Sequence, residues 1–261
     1  MKIDIRRKLA CEVAVVICFL LTAVWFFFPG WKPEGVLFAM QLALPAVVLA
    51  VGSLMLRDRL MMMGFCFCAL GDAMGVLGSF EGQMGGFALA HICFICFFWG
   101  EAHRAKVHPF PIVTLAVASL VCLVPLGFAA WKVIPAITDL PIRIGCSIYA
   151  LLLTGTLWTA IVRDFSDPFD RASGPFKASY GAAAFLTSDF ILAWNKFLEH
   201  IPHASYYIMI TYYCALLLLF AGTKSNEKRQ PIKIVSKKVQ NDLAGKKKVR
   251  TFAPANEKTV P

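Results

Sequence analysis

Residues 35–56 read GVLFAMQLALPAVVLAVGSLML, twenty-two positions without one charged side chain. A helix on the surface of a soluble domain pairs its apolar stripe with a polar face. This stretch has no such face, and about 20 mainly apolar residues suffice to cross the hydrocarbon core of a bilayer. It reads as a membrane span. Working outward, seven more runs of the same kind appear, at 10–28, 60–80, 86–100, 110–131, 142–162, 178–197 and 205–222, the third of these being short. The whole composition agrees: 58% hydrophobic against 16% charged, where soluble domains hold about 45–50% apolar and about 25% charged residues. An ordinary water-soluble enzyme, a disordered chain and a nucleic-acid module are excluded, so no nucleic-acid partner is expected despite the net charge of +10. The expected fold is all-α, a polytopic transmembrane bundle of eight helices.

The charge sits mostly at one end. Residues 223–261 hold eleven Lys/Arg against Glu227, Asp242 and Glu257, a net +8. A segment so polar buries too little apolar surface to fold, which predicts a disordered basic tail after a single membrane domain, 1–222. Lys2, Arg6, Arg7 and Lys8 precede the first run, but that run is too long for a signal peptide and lacks a small-residue cleavage site. It reads as an uncleaved first helix. With eight spans, the loops on the side of the termini carry 22 of the 26 Lys/Arg and the opposite side carries 4, namely Lys32, Lys132, Arg143 and Lys196. Positive charge stays cytoplasmic, so both termini are expected there, in a bacterial inner or an organellar membrane. Trp25, Trp31 and Trp131 read as interfacial anchors. Nine cysteines, among them Cys66-x-Cys68 and Cys93-x-x-Cys96, lie mostly among Phe, Ile and Leu. They read as small buried thiols rather than as a disulfide framework or a metal site.

Ionisable groups inside a span are costly and therefore functional candidates. Asp72, His91 and Asp189 qualify. Counting turns along each helix puts Asp72, His91, Tyr149, Asp189 and Tyr212 at one level in the outer half of the bilayer, with Asn195 and Lys196 just above. Five polar groups at one height on five helices point to a shared cavity. Small residues flank both acids, Gly71 and Gly75 beside Asp72 and Gly181 to Ala184 before Asp189. Such residues let helices approach closely, so the third and seventh helices are expected to touch or to line a cleft.

Two carboxyls in a low-dielectric site divide into a general acid and a general base or anion stabiliser. Glycosidases act on acetals in this way through an oxocarbenium-like state. A vinyl ether is a close chemical relative: protonation of its β-carbon gives an oxocarbenium ion, water adds, and the hemiacetal collapses to an aldehyde and an alcohol. Neither metal nor cofactor is needed. His91 is placed to hydrogen-bond an acid or the water, and Lys196 to meet a phosphate.

The residues at this point resemble the YhhN family of eight-helix membrane proteins, which includes the lysoplasmalogenases. The resemblance is carried by Gly71-Asp72-Ala73, by Phe80, Gly86, Ala88, Ala90 and His91, and by Tyr149. It continues through Gly181, Ala182, Phe185, Ser188, Asp189, Leu192, Ala193, Asn195, Lys196 and Phe197, and ends at Tyr212, Tyr213 and Ala215. It covers about residues 10–222. Leu216 stands where the family usually has Gln, which removes a polar group from one expected wall. The resemblance implies hydrolysis of the alkenyl ether bond of a lysophospholipid, with Asp72, Asp189 and His91 catalytic and Tyr149, Asn195, Lys196 and Tyr212 binding substrate among membrane lipids. Two other readings stay open from the residues alone, a metal-dependent intramembrane lipid hydrolase and a proton-coupled transporter or lipid-binding protein.

Overall fold

The computed structural model describes residues 2–28, 33–104, 111–166 and 176–223, with side chains from residue 9 onward. Among them are eight helices and no strand: α1 Lys2–Trp25, α2 Gly35–Met55, α3 Arg59–Val76, α4 Phe80–Arg104, α5 Ile112–Ala136, α6 Leu140–Ser166, α7 Lys177–Phe197 and α8 Ala204–Gly222. Trp31, Lys32, Lys106, His108, Arg171 and the tail from residue 224 lie outside the described residues.

Six helices, α2 to α6 and α8, are long and apolar enough to cross a membrane. The apolar part of α1 is shorter, Leu9–Trp25. Helix α7 falls outside the six because Lys177, Ser179, Ser188, Asp189, Asn195 and Lys196 dilute its apolar residues. The fourth helix is longer than its apolar run. Ser79 Oγ accepts the Gly82 N–H at 3.1 Å, an N-terminal cap that satisfies an orphan donor and starts the helix two turns before the run at 86–100. Asp139 does the same for α6, its Oδ1 accepting the Ile142 N–H at 2.9 Å.

Helices α2, α3, α4, α6, α7 and α8 pack in that order, and α8 returns to α2; α1 lies on α2 and α5 on α6. Phe65, Phe94, Phe98, Phe185 and Phe220 fill the interior and are fully buried. Lipid is as apolar as these rings, so the gain comes from close packing rather than from release of water. The small residues beside the acids serve other pairs than expected. A Cβ at Gly86 would stand 2.8 Å from the Gly71 backbone, and one at Gly181 would stand 2.8 Å from Leu219 N. They bring α3 onto α4 and α7 onto α8, and the close packing of α3 and α7 is spent on those partners rather than on each other.

Two features shape the site's surroundings. Helix α5 is the least embedded, with only Ala118 and Cys122 buried along Ile112–Phe128. After Pro125, which lacks an N–H for the ladder, its turn Ala129–Val133 is π-helical. At the other end, Arg163 joins three helices. Its guanidinium donates to Asp164 Oδ1 and to Gly222 O, both at 2.8 Å, and Asp164 Oδ2 accepts the Ser179 N–H at 2.9 Å and the Ser179 O–H at 2.7 Å.

Candidate active site

A cavity of about 100 Å³ opens between α4, α5, α6 and α7. Its walls are largely apolar, with Phe87, Leu126, Val133, Leu153 and Phe190 among them, and the π-helical turn of α5 forms one side. Asp189 is the single carboxylic acid among the residues lining it, and Tyr149 stands with it. The Tyr149 hydroxyl is hydrogen-bonded to Asp189 Oδ2, donating when the acid is ionised.

From Tyr149 the polar contacts run inward. The tyrosine oxygen is 3.4 Å from His91 Nε2, and His91 Nδ1 is 3.0 Å from Thr156 Oγ1. His91 is fully buried, its ring edge-on to Phe185 with centroids 4.7 Å apart. The histidine thus meets a tyrosine and a threonine, not a carboxylate. Asp72 has a tyrosine of its own: Tyr212 donates to Asp72 Oδ2 at 2.9 Å. Tyr212 packs edge-on against Phe185 and Phe87, with centroids at 5.3 and 5.8 Å. Two tyrosine–aspartate pairs result. Asp189 and Tyr149 line the cavity, whereas Asp72 and Tyr212 lie off its wall with the Phe87 ring against Tyr212, and His91 lies off it too, next to Tyr149. Each carboxyl is held by its own tyrosine.

Helix α7 places Asp189 through its neighbours. Ser188 Oγ donates to Ile208 O at 3.0 Å and pins α7 to α8 one residue before the acid. The ammonium of Lys196 lies 4.3 Å above the Phe80 ring, and Phe80 and Phe197 both line the cavity. Lys196 is exposed, with its ammonium beside these two cavity-lining rings. Asn195 is engaged differently: its Oδ1 accepts the Ile201 N–H at 2.8 Å and fastens the α7–α8 connection. Leu216 is fully buried in the apolar core and is not on the cavity wall. Asp72, His91 and Asp189 do not converge as ligands, and no group of three His, Cys, Asp or Glu among the described residues is placed to hold a metal. Thr156 and Phe87 belong to this site and were not singled out in the sequence, where Phe185 stands only among the residues that carry the resemblance.

With this geometry in hand, the chain can be compared with known proteins. The YhhN family model matches residues 27–223, a span holding every residue of the candidate site. Lysoplasmalogenase TMEM86B of Sus scrofa is 29% identical over 164 residues, 62% of this chain and 62% of that protein. The protein of the same name from Mus musculus is 28% identical over 147 residues, 53% of this chain and 60% of its own length. That from Homo sapiens is 38% identical over 71 residues, 27% of this chain and 26% of its own length. Each match thus spans less than two thirds of the relative. No solved structure matches the chain significantly.

Proposed function

The chain belongs to the YhhN family, and on that premise we propose that it is an integral-membrane hydrolase cleaving the vinyl ether bond of lysoplasmalogens. The products are a fatty aldehyde and a glycerophospho-base. The observation that carries the reading is Asp189 with Tyr149 on the wall of an otherwise apolar cavity. The relatives named lysoplasmalogenase support it. In this reading all eight helices span the bilayer with both termini cytoplasmic, and the basic tail follows the membrane domain.

The alkenyl chain lies in the cavity and its phosphate meets Lys196. Asp189 in its acid form gives a proton to the β-carbon of the R–CH=CH–O–R′ group, leaving an oxocarbenium ion. The Tyr149 O–H then turns to the new carboxylate and stabilises it. Asp72, oriented by Tyr212, contributes the second carboxyl, whose charge steadies the cation through the low-dielectric interior. Water adds to the α-carbon and returns a proton to Asp189. The hemiacetal collapses to R–CH₂–CHO and HO–R′, so the sum is one water consumed and no proton gained or lost. Asn195 holds the α7–α8 connection that carries Lys196.

The test is aldehyde release from a synthetic lysoplasmalogen by purified protein in detergent, with and without EDTA. Wild type releases aldehyde in both, and Asp189→Asn lowers kcat by about 10²–10⁴, the range for loss of a general acid. A folded wild type that releases no aldehyde overturns the reading.

A further inference from the structure

Thr156 is almost fully buried on α6, facing His91 of α4. Besides His91 Nδ1, its hydroxyl has two polar neighbours, Leu152 O at 3.1 Å and His91 O at 3.5 Å. Both are carbonyl oxygens, which only accept. A threonine within a helix ordinarily gives its proton to the carbonyl four residues back, here Leu152 O, and in that arrangement Thr156 Oγ1 presents a lone pair to the histidine. A neutral imidazole carries one N–H. Facing a lone pair at 3.0 Å, Nδ1 is the nitrogen that carries it. Nε2 is left bare towards the Tyr149 hydroxyl at 3.4 Å.

The consequence travels to the cavity wall. A bare Nε2 draws the tyrosine proton towards itself. The phenol oxygen then offers Asp189 lone pairs, which a carboxylic acid can meet with its own O–H and a carboxylate cannot. The chain from Asp189 through Tyr149, His91 and Thr156 to a backbone carbonyl has one direction, fixed at the carbonyl end. We infer that Thr156 is a positioning residue, which fixes the His91 tautomer and through it holds the reacting proton on Asp189. The inference rests on the hydrolase reading for its kinetic consequence, though not for the tautomer.

Removal of the threonine hydroxyl reverses the chain. Without an acceptor at Nδ1 the ring takes the Nε2–H form that imidazole side chains ordinarily prefer. Nε2–H donates to the tyrosine oxygen, and the tyrosine O–H donates to Asp189, favouring its carboxylate. The other titratable groups around this acid are Asp72 and Cys68 of α3, Tyr212 of α8, Cys146 of α6 and Lys196 of α7. Thr156→Val changes none of them.

The experiment uses full-length protein in detergent with ¹⁵N-labelled histidine, the His91 signals assigned by their loss in His91→Gln. Wild type shows a protonated Nδ1 and a bare Nε2, Thr156→Val shows the reverse, and Thr156→Ser shows the wild-type pattern. In the aldehyde assay Thr156→Val lowers kcat about tenfold at neutral pH with KM within about twofold, less than the ~10²–10⁴ for loss of the general acid itself, because Asp189 is still present. The alkaline limb of its rate profile moves down by about one pH unit, and Thr156→Ser restores both. A protonated Nε2 in wild type overturns the inference, and so does a Thr156→Ser protein that behaves as Thr156→Val, since packing alone would then explain the site. The wild-type spectrum decides the matter even where the valine variant does not fold. If wild type releases no aldehyde, the hydrolase reading fails while the tautomer is still judged by the spectra.

Discussion

Asp189 reaches the cavity with Tyr149 beside it, while Asp72 is held by Tyr212 off the cavity wall, so their surroundings assign different work. Tyr149→Phe keeps the ring against the cavity and removes the hydroxyl that stabilises the ionised acid. The expected result is a fall in kcat of about 10–100-fold with KM nearly unchanged; a raised KM at constant kcat would instead make Tyr149 a binding group. Lys196→Met acts on the other parameter. An exposed cation beside the cavity attracts a phosphate by about 1 kcal/mol, so KM rises about fivefold while kcat holds, and an unchanged KM removes the lysine from the substrate site. Asp72, His91 and Asp189 are legible in the sequence because ionisable groups are rare within spans. Thr156 is not, because a threonine in an apolar helix ordinarily bonds the carbonyl four residues back. Its partner His91 is 65 positions away. The split between two tyrosine–aspartate pairs is equally hidden, since equal depth along helices says nothing about which group reaches the cavity wall.

At the scale of elements, the runs of apolar residues locate the helices, and the ends escape where polar caps extend them. Ser79 and Asp139 lengthen α4 and α6 beyond their apolar cores. The small residues announce close approaches without naming the partner: Gly71 meets α4 and Gly181 meets α8. The junction of α6, α7 and α8 was legible only as charge. Arg163 is counted among the loop charges of the positive-inside reading, and Asp164 follows the end of the apolar run 142–162, yet both are buried and hydrogen-bonded, to Gly222 and to Ser179 respectively. Asp164 also sits at the N-terminal end of α7, where a negative charge is favoured. Asp164→Ala leaves the Arg163 guanidinium buried without its carboxylate, a loss of about 3–5 kcal/mol for a broken buried pair. Thermal unfolding in detergent checks this. A melting point within one or two degrees of wild type would show that the pair contributes little to holding the three helices.

For the whole molecule, the asymmetry of Lys and Arg predicts an orientation, and the order of packing closes six helices on one another with α1 and α5 outside. What the linear charge count misses is which of the charges on the more basic side are desolvated. Asp58 lies between α2 and α3, partly buried, with Glu101 and Arg104 of α4 as its charged neighbours. Burial above all, and then the charge of Glu101, raise its pKa from 3.8 to about 6 against the opposing effect of Arg104. The sign of the linkage follows. Between those two values the folded protein holds a proton that the unfolded chain has released, so folding is favoured most below about pH 4, loses stability as pH climbs through the window and is level above about 6. A shift of this size bounds the effect at ~3 kcal/mol. Solvent access to the side chain reduces it to about 1 kcal/mol, or ~2–4 °C in melting temperature for a body of this size. Asp58→Asn makes no side-chain cap to lose, since Asp58 caps nothing at the start of α3. The variant should melt with wild type at pH 4 and progressively above it from pH 5 to 7, reaching a constant offset beyond. Parallel melting curves across that range would mean that ionisation of Asp58 is not what the fold opposes.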